Sequence, residues 1–85
     1  MMNKIMMKRR ISKMSRIYFC NNIKKFRKMC GYTQKQLANM VGVSKNSISA
    51  FENGDYHPSA FVAYMLCDVL DVPFEDLFYM KGEVR

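Results

Sequence analysis

The side chains best suited to recognition chemistry lie between Lys45 and Asn53. Within that run Ile48 and Phe51 stand three apart, the spacing of a helical face turned toward a core. Asn46, Ser49, Ala50 and Asn53 fall on the opposite side of the wheel, with Lys45 at its flank. Amide, hydroxyl, methyl and ammonium groups presented together match the edges of nucleic-acid bases. Asn46 carries the two-pronged amide that suits adenine, Lys45 a donor for guanine O6 and N7, and Ala50 a methyl for thymine. Ser49 suits a base or a phosphate, and Asn53, at the far end, a phosphate. The same composition fits an ordinary solvated helix face, so residue types alone leave both readings open.

The elements that would hold this face are two short helices within QKQLANMVGVSKNSISAFEN, residues 34–53. Leu37, Ala38 and Val41 give the first an apolar face. Gly42 supplies the left-handed conformation that ends a helix, and Ser44 the hydroxyl that caps the next. The link of three residues forces a sharp crossing, with small Ala38 where the helices approach. Thr33 and Gln36 fit a capping box. The positive end of that helix is a seat for phosphate, with the Gln34 amide beside it; a solvated first-turn glutamine is the alternative. This is the sequence shape of a helix-turn-helix.

The flanking elements follow from caps and breakers. Asn21 or Asn22 caps a helix over about 22–30, whose expected buried stripe is Ile23, Phe26 and Cys30, with Gly31 ending it. Asn53-Gly54 stops the second helix of the pair, Asp55-Tyr56-His57 is a loop, and Pro58-Ser59 starts a helix reaching Leu70. His57 is assigned no role. The expected core stripe of the helix over 59–70 is Ala60, Ala63, Tyr64, Cys67 and Leu70. Phe61, Val62, Met65, Leu66 and Val69 are apolar as well, and Asp68 is its only charge. A helix apolar all round is covered on more than one side, here by the N-terminal residues or another subunit, or else leaves a poorly soluble surface. Those five residues are the candidate dimer or partner surface. After Asp71-Val72-Pro73 a last short helix is expected over Phe74–Met80, with Pro73 near its first position and Leu77 and Phe78 closing the core. Residues 81–85 form a frayed tail.

Eighty-five residues make one domain, and an all-helical bundle is the easiest way for so short a chain to build a core. The net charge of +7 is unevenly placed. Met1 to Phe51 holds twelve Lys or Arg and no carboxylate, whereas Glu52 to Arg85 holds two basic and seven acidic residues. Such asymmetry suits a protein that offers one face to a polyanion. Three scattered cysteines, Cys20, Cys30 and Cys67, with one histidine and no C-x-x-C, argue against zinc and disulfides and for a reducing cytoplasm. No apolar run nears the ~20 residues that span a bilayer, and no signal-peptide core is evident. With no phosphate loop and no Ser/His/Asp set, an enzyme is not expected.

The run YTQKQLANMVGVSKNSISAFENG resembles the lambda-repressor-like, or XRE, family of helix-turn-helix proteins. The resemblance extends from about Ile23 to Phe78 through IKKFR, GYTQKQLA, GVSKNSIS, FENG, HPS and VPFEDLF. It implies an all-α, compact five-helix bundle over residues 21–80, with a basic N-terminal extension over 1–20. It implies sequence-specific binding of double-stranded DNA through a recognition helix at 45–53, with Lys45, Asn46, Ser49 and Ala50 reading bases. Gln34, Ser44 and Asn53 would hold phosphates. Arg27 and Glu52 would pair inside the bundle. A homodimer would read a palindrome as a transcriptional regulator, by repression in the first instance, with no cofactor and no metal, in a bacterial or phage-type cytoplasm. The alternative is a protein-interaction module, an antitoxin or adaptor, working through the apolar face of 59–70.

Residues 1–20 stand outside the resemblance, and Met14 offers an alternative start. Met7, Ile11, Met14 and Tyr18 recur at helical spacing among six basic residues. A phosphate-binding arm, a helix on an anionic membrane, a helix packed on the domain or a second subunit, and a frayed end all fit this pattern.

Overall fold

The computed structural model describes residues 18–82. Strand β1 (Tyr18–Asn21) leads into helices α1 (Ile23–Met29), α2 (Gln34–Val41), α3 (Lys45–Asn53), α4 (Ala60–Leu70) and α5 (Phe74–Leu77), and strand β2 (Phe78–Lys81) closes the order. The expected five helices are present. To them the structure adds a two-stranded antiparallel sheet, in which Tyr18 pairs with Lys81 and Asn21 with Phe78.

Local chemistry sets the helix boundaries. Thr33 Oγ1 accepts from the Gln36 N–H while Gln36 Oε1 accepts from the Thr33 N–H, a complete capping box at α2. Ser44 and Ser59 cap α3 and α4 through their hydroxyls. Gly42 ends α2 at φ +79°, the left-handed conformation that lets the chain turn at once into α3. Asp71 ends α4 at φ +56°, a position that costs an ordinary side chain strain but suits a short polar one. At α1 the Asn21 carboxamide, not that of Asn22, takes the Ile23 N–H. Asn22 instead binds α5, through its own N–H to the Leu77 carbonyl and its side chain to the Asp76 carbonyl.

The sheet corrects the expected helix over Phe74–Met80. That helix stops at Leu77, and Phe78 is already extended at φ −122°, ψ 141°. Phe78, Tyr79 and Met80 fit a pleated surface, and β1 supplies the backbone partners that an isolated helix end lacks. Phe19 stacks flat on Phe78 at 5.4 Å, locking the pairing from one face. Pro73 stands at the N-cap of α5, where a polar cap is usual, and makes no side-chain cap bond. Tyr18 lies in a strand, not in a helix with Met7, Ile11 and Met14, which fall outside the described residues.

The core gathers Ile23, Leu37, Ala38, Val41, Ile48 and Phe51 from the first three helices with Ala63, Leu66, Leu70, Leu77 and Phe78 from the rest. Two expected stripes turn out differently. In α1 Cys30 is exposed, and the second buried residue after Ile23 is Arg27. In α4 the face toward the core is Ala63, Leu66 and Leu70. Leu66, expected on a partner surface, is fully buried at 0% exposure, while Tyr64, expected inside, is 69% exposed and Ala60 is exposed as well. A helix apolar on every side carries no periodicity to fix its rotation; the sockets made by α2 and α5 decide it.

Arg27 is buried because each of its three guanidinium nitrogens has a partner. Its Nε donates to Glu52 Oε2 at 2.7 Å and Nη2 to Oε1 at 3.2 Å. Its remaining amine, Nη1, donates to the Tyr32 carbonyl at 2.9 Å, and Gln34 Nε2 donates to Glu52 Oε1 at 3.0 Å. The Glu52 side chain is only 2% exposed. The pair joins α1 to α3, and its partners add α2 and the turn before it.

Two stability outcomes follow. Leu66→Ala should cost about 2–5 kcal/mol, whereas Phe61→Ala should stay within about 0.5 kcal/mol, both read by urea denaturation. Arg27→Met should cost about 3–5 kcal/mol by stranding the Glu52 carboxylate, and the Arg27→Met/Glu52→Leu double variant should regain most of that loss. Equal loss in the single and double variants would show that the ion pair itself, not an orphaned charge, carries the stability.

Candidate nucleic-acid interface

The two helices of the turn converge on one outward surface. Ile48 and Phe51 anchor α3 in the core, which turns the opposite side of the helix out. Lys45, Asn46 and Asn53 are exposed there, and Ser49 and Ala50 are half-buried. Ala38 is buried, and α2 packs against α3. The structure thus brings Lys45, Asn46, Ser49, Ala50 and Asn53 onto one helix.

The residues proposed for phosphate are differently placed. The Ser44 hydroxyl accepts the Ser47 N–H as a cap and donates to Ser47 Oγ at 3.0 Å, so its proton is already committed. One N–H of the Gln34 amide is held by Glu52. That bond fixes the side chain at the positive end of α2 rather than leaving it to solvent. Asn53 lies at the end of α3, where Gly54 at φ +79° turns the chain away. Asn21 reaches across from β1, its Nδ2 donating to the Phe51 carbonyl at 3.0 Å. The last turn of α3 is therefore tied to the sheet.

Two residues escaped the sequence reading. Ser47 sits on the first turn of α3 with its Oγ 3.5 Å from the Tyr56 hydroxyl. Tyr56 rests edge-on against Phe51 at 5.5 Å and so stands over the start of the recognition surface. The signal was weak, because Tyr56 lies in a loop without periodicity; an aromatic residue two places after a helix-ending glycine was the only hint. His57, given no role from sequence, meets Phe19 edge-on at 5.2 Å.

Electrostatics distinguish this surface. From Asn22 to Asn53 the chain has six Lys or Arg and one carboxylate, Glu52. That carboxylate is enclosed by Arg27 and Gln34 and faces inward. A polyanion approaching α3 meets no exposed negative charge on the helix itself. Among the described residues, no three His, Cys, Asp or Glu side chains gather to hold a metal ion.

Comparison with known proteins agrees with this geometry. A helix-turn-helix family model matches residues 23–77. YgzD of Bacillus subtilis, an uncharacterized HTH-type transcriptional regulator, is 36% identical over 63 residues, covering 74% of this chain and 96% of that protein. The N-terminal DNA-binding domain of SinR from Bacillus subtilis superposes with a TM-score of 0.58 at 35% identity, over 62% of this chain and 78% of that one. SinR in complex with DNA gives the same TM-score and identity, over 62% of this chain and 86% of that one. Antitoxin PezA of Streptococcus pneumoniae is 38% identical over 56 residues, which are 66% of this chain and 35% of PezA. With a matched family model over most of its length and the capped, sharply crossed α2–α3 pair to go with it, the chain belongs to the lambda-repressor-like, XRE-type helix-turn-helix family of DNA-binding domains.

Proposed function

We propose that this protein is a transcriptional regulator that reads double-stranded DNA in the major groove with α3. The observation that carries the reading is the enclosure of Glu52, which leaves α3 with a face of Lys45, Asn46, Ser49 and Ala50 and no exposed carboxylate. Asn46 pairs with an adenine edge, Lys45 donates to guanine, and Ala50 meets a thymine methyl. Ser49 completes the set at a base or phosphate. Gln34 and the N-terminus of α2 take one backbone phosphate and Asn53 another at the far end of α3, while Ser44 reaches a phosphate only by turning its hydroxyl proton away from Ser47. Repression follows from occupying a promoter, and the relatives named as regulators support a role of that class.

One domain of this size grips one half-site weakly. Two copies about a dyad would place two copies of α3 in grooves about 34 Å apart and read a palindrome. The dimer contact in this reading is the flank of α4 carrying Phe61, Val62, Met65 and Val69, of which Phe61 is 70% exposed. Leu66 is removed from that set by its burial.

A second reading is a protein-interaction module, supported by the exposure of Phe61 and Tyr64 on α4 and by the likeness to part of an antitoxin. The two separate cleanly. Selection from a random duplex pool at two salt concentrations should return a two-fold symmetric site. Binding that is salt-sensitive but without sequence preference would reduce the surface to a phosphate patch and favour the second reading. On the selected site Asn46→Ala should cost about 1–3 kcal/mol and relax selectivity at one position per half-site. Phe61→Lys should leave the half-site preference intact and abolish the advantage of the full palindrome. Retention of that advantage would move the dimer contact elsewhere.

A further inference from the structure

The start of α3 carries hydroxyl protons that its cap does not use up. A serine hydroxyl has one proton to give and two lone pairs to receive. Ser44 Oγ accepts the Ser47 N–H and gives its own proton to Ser47 Oγ at 3.0 Å. Ser47 Oγ therefore has one lone pair filled and its proton to spare. The Tyr56 hydroxyl stands 3.5 Å away, well beyond the about 2.7–2.8 Å usual between bonded hydroxyls. Two O–H donors thus lie side by side, and neither proton has a closer acceptor among the described residues.

Both donors are held in place. Ser47 is fixed by the helix and by its two bonds to Ser44. The Tyr56 ring rests edge-on against buried Phe51, yet the residue is 53% exposed, so the pair stays open to a ligand. Position on the helix says which ligand. Ser47 comes two residues after Lys45 and so lies about 200° round α3 from it. The face of Asn46, Ser49, Ala50 and Asn53 is therefore bordered by Lys45 on one side and by Ser47 with Tyr56 on the other. A helix lying in the major groove has a sugar-phosphate strand along each flank. Serine and tyrosine hydroxyls are ordinary donors to phosphate oxygens. A phosphodiester offers two nonbridging oxygens on one phosphorus, and two donors this close can take one each.

We propose that Ser47 and Tyr56 clamp one backbone phosphodiester beside the base-reading face, with one O–H to each nonbridging oxygen. Ser44 is the positioning residue, because its proton fills the inner lone pair of Ser47 and leaves the Ser47 proton to point outward. This clamp rests on the reading of α3 as a DNA-binding helix and gives one phosphate at its start to Ser47 and Tyr56 rather than to Ser44. The loop from Gly54 to His57 carries one formal charge, that of Asp55. The contact is thus made by neutral donors and not by opposite charge, which separates it in experiment from a lysine contact.

The full chain is assayed on a duplex recovered by selection. Tyr56→Phe keeps the ring against Phe51, and Ser47→Ala keeps the N–H that Ser44 caps; equal urea midpoints show that both keep the fold. Each should lower affinity about tenfold, the worth of one hydrogen bond to a charged group at the low end of its range. The loss should be the same on every duplex sequence. The slope of log affinity against log salt should not change, since no charge that releases counterions is removed. Methylphosphonates, which lack one nonbridging oxygen, then replace the phosphates one at a time. At one position per half-site the replacement should weaken the wild type clearly more than it weakens Tyr56→Phe or Ser47→Ala, a coupling that a merely structural residue would not show. Ser44→Gly, which keeps most of the value of the cap, should blunt the same loss, and Ser44→Thr should retain it. Wild-type affinity in both hydroxyl variants, or methylphosphonate losses equal to wild type at every position, would overturn the clamp while the DNA reading stands. Selectivity relaxed at a base pair would overturn it by making these residues base readers. A wild-type chain that binds no duplex would overturn the DNA reading and the clamp with it.

Discussion

The Arg27–Glu52 pair is the constraint on which the rest of the domain depends. Glu52 stands in the last turn of α3, and its two oxygens are bound by Arg27 from α1 and Gln34 from α2. Arg27 in turn holds the Tyr32 carbonyl in the link between those helices. A planar guanidinium meeting a carboxylate at two points fixes angle as well as distance. The rotation of α3 about its own axis is thereby set by polar bonds as well as by Ile48 and Phe51. A slip of one residue would both expose Phe51 and break a buried ion pair. Recognition by a helix face requires such control, because side chains one position apart point about 100° away from each other.

The parts of the fold that were legible in the sequence are those specified by neighbours in the chain. The capping box at Thr33, the left-handed turn at Gly42 and the cap at Ser44 are all encoded within four residues, and each is present as read. The orientation of α3 was legible because its apolar residues are few and periodic. The Arg27–Glu52 pair came from family resemblance, since 25 residues separate the partners and nothing local marks them. What could not be read is what depends on distant surroundings. The rotation of α4 is one case: ten of its eleven residues from Ala60 to Leu70 are apolar or aromatic, Asp68 being the exception, so no polar face shows which side is out. The strand at Phe78 is the other, because its partner Asn21 lies on the far side of all five helices in the sequence.

The candidate surface shows the same division. Lys45, Asn46, Ser49 and Ala50 were identified from side-chain chemistry and spacing along one helix, and they share one helix in the structure. Gln34 was placed correctly at the first turn of α2, but its bond to Glu52 was invisible without the fold. Tyr56 was missed because its place over Ser47 depends on how the loop after Gly54 folds back onto Phe51. Two of the open features of this molecule also come from long-range packing. Phe61 and Tyr64 are both left exposed because Leu66, not Tyr64, fills the core.

The small sheet has a consequence for the order in which the protein takes shape. Tyr18 and Lys81 are paired although 63 positions separate them in the chain. The α2–α3 pair, by contrast, is made of immediate neighbours joined by a short turn. Local contacts close quickly and distant ones slowly, because the loop entropy must be overcome first. On a ribosome β1 would emerge before the helices and wait, unpaired, until β2 had followed them. The helical pair can assemble in that interval. Closure of the sheet would then come late in folding, the step at which a helical subdomain gains the strands that flank it fastened side by side.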